Sequence, residues 1–149
     1  MQEKLEREAA TYNDIIQVDY LESYYNLTLK GLAMTRWMAL NCPYAKYMLK
    51  LDDDCYVRIN PLMKVLEARP ANSIMGRKRD LEPVLRDQRT KWYISPAYYP
   101  YEHYPPYIAG VYFIPGLLTT KLYEMVVSDP QTDTIPALPF DDCYVTGIL

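Results

Sequence analysis

The amino-acid sequence predicts an α/β domain, and three observations carry that expectation. Helix-like and strand-like segments alternate through the first half of the chain. At 149 residues the chain has room for one domain with a proper core and not for two, and residues 1–149 are read as a single domain. Half of the residues are hydrophobic and 23% are charged, which supplies a core without the long apolar run that a bilayer-spanning helix needs.

In chain order, "EKLEREAATY" reads as the end of a helix and "DIIQV" as a short β-branched strand. From Asn26 to Leu40 an amphipathic helix is expected, with Leu29, Leu32, Ala33, Trp37 and Leu40 inward and Asn26 or Ser23 as its cap. Cys42-Pro43 stops it, because a residue before proline is driven out of the helical region. "AKYMLKL" follows as a strand and "NPLMKVLEARP" as a helix, capped at Asn60, with Pro61 in its first turn and Pro70 beyond its end. "NSIMG" is the next strand, which completes the grammar of a βαβ unit. The stretch "KWYISPAYYPYEHYPPYIAGVYF" reads as short strands alternating with extended loops. "GLLTTKLYEMVV" is a second amphipathic helix with Leu118, Leu122, Met125 and Val126 inward. A Pro-rich link, "SDPQTDTIPALPF", leads to the closing "DDCYVTGIL". There is no internal repeat and no low-complexity tract. The chain opens within a helix and stops on an apolar run, so a domain incomplete at both ends is expected.

Composition narrows the function classes. A net charge of −3 and a pI near 5.2 argue against a nucleic-acid partner, which needs a basic surface to displace counterions. Sixteen tyrosines against two phenylalanines supply rings that are apolar on the face and polar at the tip, suited to sugars, to partner proteins or to half-buried packing. Cys42, Cys55 and Cys143 form no CxxC pair, and either one disulfide with a free thiol or three thiols is compatible with their spacing. Asn26-Leu27-Thr28 is a glycosylation sequon, with meaning only in a chain that enters the secretory pathway.

Asp52-Asp53-Asp54 lies just past the carboxyl end of an expected strand, where open α/β sheets bind ligands. Hard carboxylate oxygens there suit Mg²⁺ or Mn²⁺, especially when substrate phosphates complete the shell. A solvated acidic turn accounts for the same three residues. An EF-hand does not, because Val57 stands at the sixth loop position, which requires glycine. An aspartate-dependent phosphatase would use one Asp as nucleophile, but it usually has Thr or Val where this chain has Tyr56. A nucleotide-sugar site, with the carboxylates holding a metal on a diphosphate, is the third reading.

Asp141-Asp142 is a second acidic pair, read either as a helix N-cap or as a general base. Between the two sites, Lys91-Trp92-Tyr93 and Tyr104-Pro105-Pro106-Tyr107 set aromatic rings on stiff backbone, as a sugar platform would. Arg77, Lys78, Arg79, Arg86, Arg89 and Lys91 form a basic cluster, read as a solvated face or as a balance for diphosphate charge. His103 is the single histidine and supports no His-based site.

In their order and spacing, four blocks resemble the β-1,3-galactosyltransferase family (glycosyltransferase family 31), which includes β-1,3-N-acetylglucosaminyltransferases. They are "YNDIIQVDYLESYYNLTLKGL", "NCPYAKYMLKLDDDCYVRI", "KWYISPAYYPYEHYPPYIAGVYFIP" and "FDDCYVTGIL", and together they cover nearly the whole chain. The resemblance implies an A-type, Rossmann-like nucleotide-sugar fold, a UDP-sugar donor, Mn²⁺ or Mg²⁺, and inversion at the anomeric carbon. It further implies a glycan acceptor on a glycoprotein or glycolipid, and a lumenal domain tethered to the Golgi membrane by an anchor outside this chain. Uridine-binding strands are expected before Met1, and a metal-completing histidine beyond Leu149.

Carried over position by position, the resemblance makes Asp54 the direct metal ligand, with Asp52 as a second. Asp52 and Asp53 fall at the nucleotide, and Asp142 takes the place of the base. Lys91, Trp92, Tyr93, Tyr107, Ala109, Gly110 and Asp141 align with substrate-cleft positions. Two departures bear on fit: Asp141 replaces a family glutamate, and "IAGVYFIP" replaces a stretch richer in Ser and Gly. A non-catalytic glycan- or partner-binding fragment is the alternative to the enzyme.

Overall fold

The computed structural model describes residues 1–70, 72–128 and 138–149. In chain order the elements are helix α1 (Gln2–Tyr12), a 3₁₀ turn (Tyr24–Asn26), helix α2 (Leu27–Asn41), strand β1 (Tyr47–Lys50) and helix α3 (Ile59–Glu67). Strands β2 (Met75–Arg79) and β3 (Tyr107–Pro115) follow, then helix α4 (Gly116–Ser128) and helix α5 (Asp141–Cys143), which continues as a π-helical turn over Tyr144–Ile148. The α/β class is therefore met. Most of the Pro-rich link, residues 129–137, lies outside the described residues.

The sheet corrects the expected βαβ pairing. Its strand order is β1-β3-β2, and both outer strands run antiparallel to β3. β1 and β2 are thus parallel to each other but separated by a strand from later in the sequence. The nine residues of β3 explain the insertion: Tyr107, Ile108, Val111, Tyr112, Phe113 and Ile114 are aromatic or β-branched, and the strand is long enough to offer a ladder on each edge. Lys50 pairs with Tyr112 on one side and Gly76 pairs with Tyr112 on the other. "DIIQV" forms no strand, and Ile16 and Val18 are exposed. Its β-branched residues have no neighbouring strand among the described residues, and propensity without a ladder does not make a strand.

Helix α2 turns a different face inward from the one its bulky residues predict. Thr28, Gly31, Thr35 and Met38 are buried, and Leu32 packs on the core as expected, whereas Leu29, Trp37 and Leu40 are exposed. The small side is the one that lets α4 and α5 approach. Its hydroxyls are satisfied, one within the helix and one across the fold: Thr35 Oγ1 donates to the Gly31 carbonyl at 2.9 Å, and Thr28 Oγ1 donates to the Leu138 carbonyl. Ser23 Oγ accepts from Tyr25 N at 3.3 Å and caps the 3₁₀ turn, while Asn26 holds the N-cap position of α2 without a side-chain capping bond, its Nδ2 donating to the Leu21 carbonyl at 2.8 Å. Helix α3 begins at Ile59, so Asn60 lies in its first turn and is not its cap. In α4, Leu122 is buried as expected, whereas Met125 is exposed, against expectation.

Two apolar clusters form the core. Met38, Met48, Tyr112, Ile114, Leu122 and Val145 join the sheet to α2 and α4. Val84, Ile94, Tyr99 and Tyr104, from the long connection between β2 and β3, pack with Leu138, Phe140, Cys143 and Tyr144. That connection forms a single isolated bridge, Pro83 with His103, and no longer ladder. It is fastened instead by Arg86, whose guanidinium donates to the carbonyls of Ile94, Tyr99 and Tyr101 at 2.7, 2.8 and 2.7 Å. The expectation for Arg86→Met is a loss of about 2–4 kcal/mol in urea unfolding, since three charge-assisted bonds disappear and the carbonyls must find water. A loss below about 0.5 kcal/mol would show that the loop is held by its tyrosines alone.

Candidate active site

The site grows out of the end of β1. Alternation along the strand sends Met48 and Lys50 to the buried face, and the chain then breaks into a turn closed by Cys55 N donating to the Asp52 carbonyl at 3.0 Å. Asp52, Asp53 and Asp54 stand on this turn and are exposed, as hard ligands must be if an ion and its substrate are to reach them. From the other side, α5 brings Asp141 and Asp142 to the same cleft at the first turn of a helix, where backbone N–H groups favour carboxylates. Close packing of α5 on α2 depends on Gly31: a Cβ there would lie 3.0 Å from Asp141 Cβ and 3.3 Å from a Val145 methyl.

Lys50 lies between the two acidic sites. Its Nζ is 2.8 Å from Asp52 Oδ1 and 3.5 Å from Asp141 Oδ2, and its side chain is 10% exposed. It also donates to the Gly110 carbonyl at 3.5 Å and lies 5.9 Å from the centre of the Tyr112 ring. Burial by itself would lower the lysine pKa, but the hydrogen bond to Asp52 and the fields of Asp141, Asp52 and Asp142 outweigh it and raise it. Asp141 is buried, at 4% exposure, and accepts from Tyr112 Oη at 3.1 Å. Burial raises its pKa, Lys50 opposes the rise, and neighbouring Asp142 adds to it. The Tyr112 hydroxyl is pushed up by burial and by Asp141, and stays a donor.

Asp142 is held by backbone donors. Gly110 N donates to its Oδ2 at 3.0 Å and Cys143 N to its Oδ1 at 2.7 Å. Gly110 reaches it because β3 bulges there: β2 slips register between Gly76 and Arg77, and Gly110 takes a left-handed φ of 71°. A cleft of about 1060 Å³ takes in Asp52, Asp53, Asp54, Lys91, Trp92, Tyr107, Ala109, Gly110, Asp141 and Asp142. Tyr93 is not among the side chains that line it. On the opposite wall Lys91 Nζ lies 4.8 Å from the ring centres of both Tyr24 and Trp92, and Trp92 Nε1 donates to Tyr24 Oη at 3.0 Å. Trp92, 48% exposed, is free to stack, whereas Tyr99 and Tyr104 are core residues. Burial pushes the Tyr107 hydroxyl up to about 12, with Asp142 the next contributor.

Lys50, Tyr112, Tyr24 and Gly31 are the residues that sequence reasoning passed over. Lys50 carried a signal, a lysine on the inward phase of an apolar strand two residues before an aspartate. Of the basic cluster, Arg79 and Lys91 reach the cleft. Lys78 and Arg89 pair with Asp80 and Asp87 at 2.9 and 2.7 Å, and Arg86 is structural. All three cysteines are free thiols. Among the described residues no group of three or more His, Cys, Asp or Glu side chains is arranged to hold a metal by itself.

The galactosyltransferase family model matches residues 1–149. The chain is 38% identical to human lactosylceramide 1,3-N-acetyl-beta-D-glucosaminyltransferase over 129 residues, which is 83% of this chain and 34% of that protein. It is 34% identical to human beta-1,3-galactosyltransferase 2 over 150 residues, 97% of this chain and 34% of the relative. Beta-1,3-galactosyltransferase 5 of Pan paniscus is 29% identical over 145 residues, 95% of this chain and 46% of the relative. The chain therefore spans between a third and a half of the length of these relatives.

The raised Asp141 pKa fixes the sign of a pH effect. An unfolded aspartate titrates at about 3.9, and Asp141 keeps its proton to higher pH in the fold. Between those two values the native state binds more protons, so stability falls as pH rises. Asp141→Asn lacks that slope. In urea unfolding from about pH 4 to 7, the unsubstituted chain should lose stability relative to Asp141→Asn as pH rises; parallel curves would remove the shift.

Proposed function

Because this chain belongs to the galactosyltransferase family, we propose that it is part of the catalytic domain, with an A-type nucleotide-sugar fold, of an inverting β-1,3-hexosyltransferase. The donor is a UDP-sugar, UDP-galactose or UDP-N-acetylglucosamine, and the acceptor is a glycan on a glycoprotein or glycolipid. The relatives' names cover both donor sugars. The observation that carries the reading is that two acidic sites far apart in sequence, Asp52–Asp54 and Asp141–Asp142, line one cleft. Inverting transfer needs that arrangement. The acceptor hydroxyl attacks the anomeric carbon as the bond to the diphosphate breaks on the opposite face, and a carboxylate takes the hydroxyl proton. Asp142 is the carboxylate for that step, because two backbone donors fix both of its oxygens in the cleft.

The Asp52–Asp54 turn fits a divalent ion of the kind that takes one or two protein carboxylates and completes its shell with phosphate oxygens and water. A self-sufficient cage is not required, which accords with the lack of a three-ligand cluster among the described residues. Asp54 is the ligand of choice, with Asp52 and Asp53 toward the nucleotide, since Asp52 already faces the Lys50 ammonium. Such an ion, when bound, neutralises charge on the departing diphosphate. Trp92 and Tyr24, with Lys91 between them, are the wall on which a sugar ring stacks. Golgi residence and a membrane tether follow at the level of the family; no helix among the described residues is long and apolar enough to cross a membrane.

UDP release by the full-length protein in the presence of Mn²⁺, a UDP-hexose and a glycan acceptor tests the reading. Asp142→Asn should lower kcat by about 10²- to 10⁴-fold while UDP binding is kept, and full turnover would remove Asp142 from the role. Chelation should abolish release and added Mn²⁺ restore it. Failure of the full-length protein to bind UDP with metal present, measured by calorimetry, would favour a non-catalytic glycan- or partner-binding module.

A further inference from the structure

We infer that Lys50 is a positioning residue for Asp142, acting through Asp141 and through the Gly110 bulge. The geometry has two routes. Along one, the ammonium lies 3.5 Å from Asp141 Oδ2, and Asp141 is adjacent to Asp142 in the first turn of α5. Along the other, it donates to the Gly110 carbonyl at 3.5 Å, and the amide of the same glycine donates to Asp142 Oδ2 at 3.0 Å. Gly110 is free to bridge the two groups because it has left the β2 ladder, where Arg77 pairs with Ala109 and Gly76 with Tyr112.

Neither 3.5 Å contact is short, but the ammonium is not free to leave them. It is fixed from outside by Asp52 at 2.8 Å and from below by the ring of Tyr112, which is fully buried. A desolvated charge weakly paired with each of several acceptors holds all of them, because each is part of its solvation. Lys50 thereby ties the carboxylate turn after β1 to the carboxylate pair of α5. A change in one alters the placing of the other.

The placement itself can be measured without turnover; only the kinetic arm rests on the transferase reading. In Lys50→Met, hydrogen exchange at the Gly110 amide, followed by NMR, should accelerate by about tenfold or more, while the Ile114 amide in the same strand keeps its protection. Lys50→Arg, which keeps the charge, should stay within about threefold of the native exchange rate. If Lys50→Met does not fold, Lys50→Gln, which retains a donor but no charge, is read in the same way. Unchanged Gly110 exchange in a folded, uncharged variant overturns the inference. So does equal acceleration at Ile114, which would mark a general loosening of the sheet.

In the kinetic arm, Lys50→Met should lower kcat by about 10- to 100-fold with a smaller change in donor KM. The double variant with Asp141→Asn should lose less than the product of the two single losses. Multiplying losses would remove Asp141 from the route. A full-length native protein that binds no UDP and transfers no sugar would defeat the transferase reading and leave the exchange result to decide the positioning claim.

Discussion

Removing the Lys50 ammonium from water costs several kcal/mol unless anions and dipoles replace the lost solvent. Much of the cleft can be understood as supplying them. Asp52 caps the charge from the turn, Asp141 meets it from α5, and β3 contributes a carbonyl at Gly110 and a ring at Tyr112. Those four groups come from three separate stretches of chain, so solvating one charge closes the sheet, the acidic turn and the last helix on each other. The requirement explains why Asp141 is buried although burial raises its pKa. It also explains why β3, otherwise a regular antiparallel strand, bulges where it passes this point.

What was legible in the sequence follows the physics of each signal. The run Tyr47–Lys50 and the long helices at α2 and α4 declared themselves by apolar composition and by their breakers, Cys42-Pro43 above all. The sheet order did not, because pairing β1 and β2 on either side of β3 depends on contacts 28 to 68 residues apart in sequence, which no local pattern encodes. The inward face of α2 was misread for a related reason. Hydropathy weighs Leu29, Trp37 and Leu40 above Thr28, Gly31 and Thr35, whereas close helix packing selects the small side.

The candidate site was more legible than the fold. Carboxylates in runs are visible as letters, and "KLDDDCYV" and "FDDCYV" announce where charge is concentrated. The partners that give those charges their character were hidden. Tyr112 reads as one tyrosine among sixteen, and Gly110 as one of five glycines, until the bulge places an amide on Asp142. Lys50 reads as an interruption of an apolar strand. Local sequence names the groups that do chemistry, while the groups that aim them are named only by the packing.

Gly31 carries a consequence for how freely this chain can vary. It has no polar side chain, contributes no atom to the cleft lining and sits in the middle of a helix, where alanine is ordinarily the better residue. Yet its bare Cα faces the Cβ of Asp141, and the smallest possible addition would press on the first turn of α5. A substitution that strengthens α2 as a helix would therefore be tested by its effect on carboxylates more than a hundred residues away in sequence. In mutational tolerance, Gly31 behaves as a member of the site.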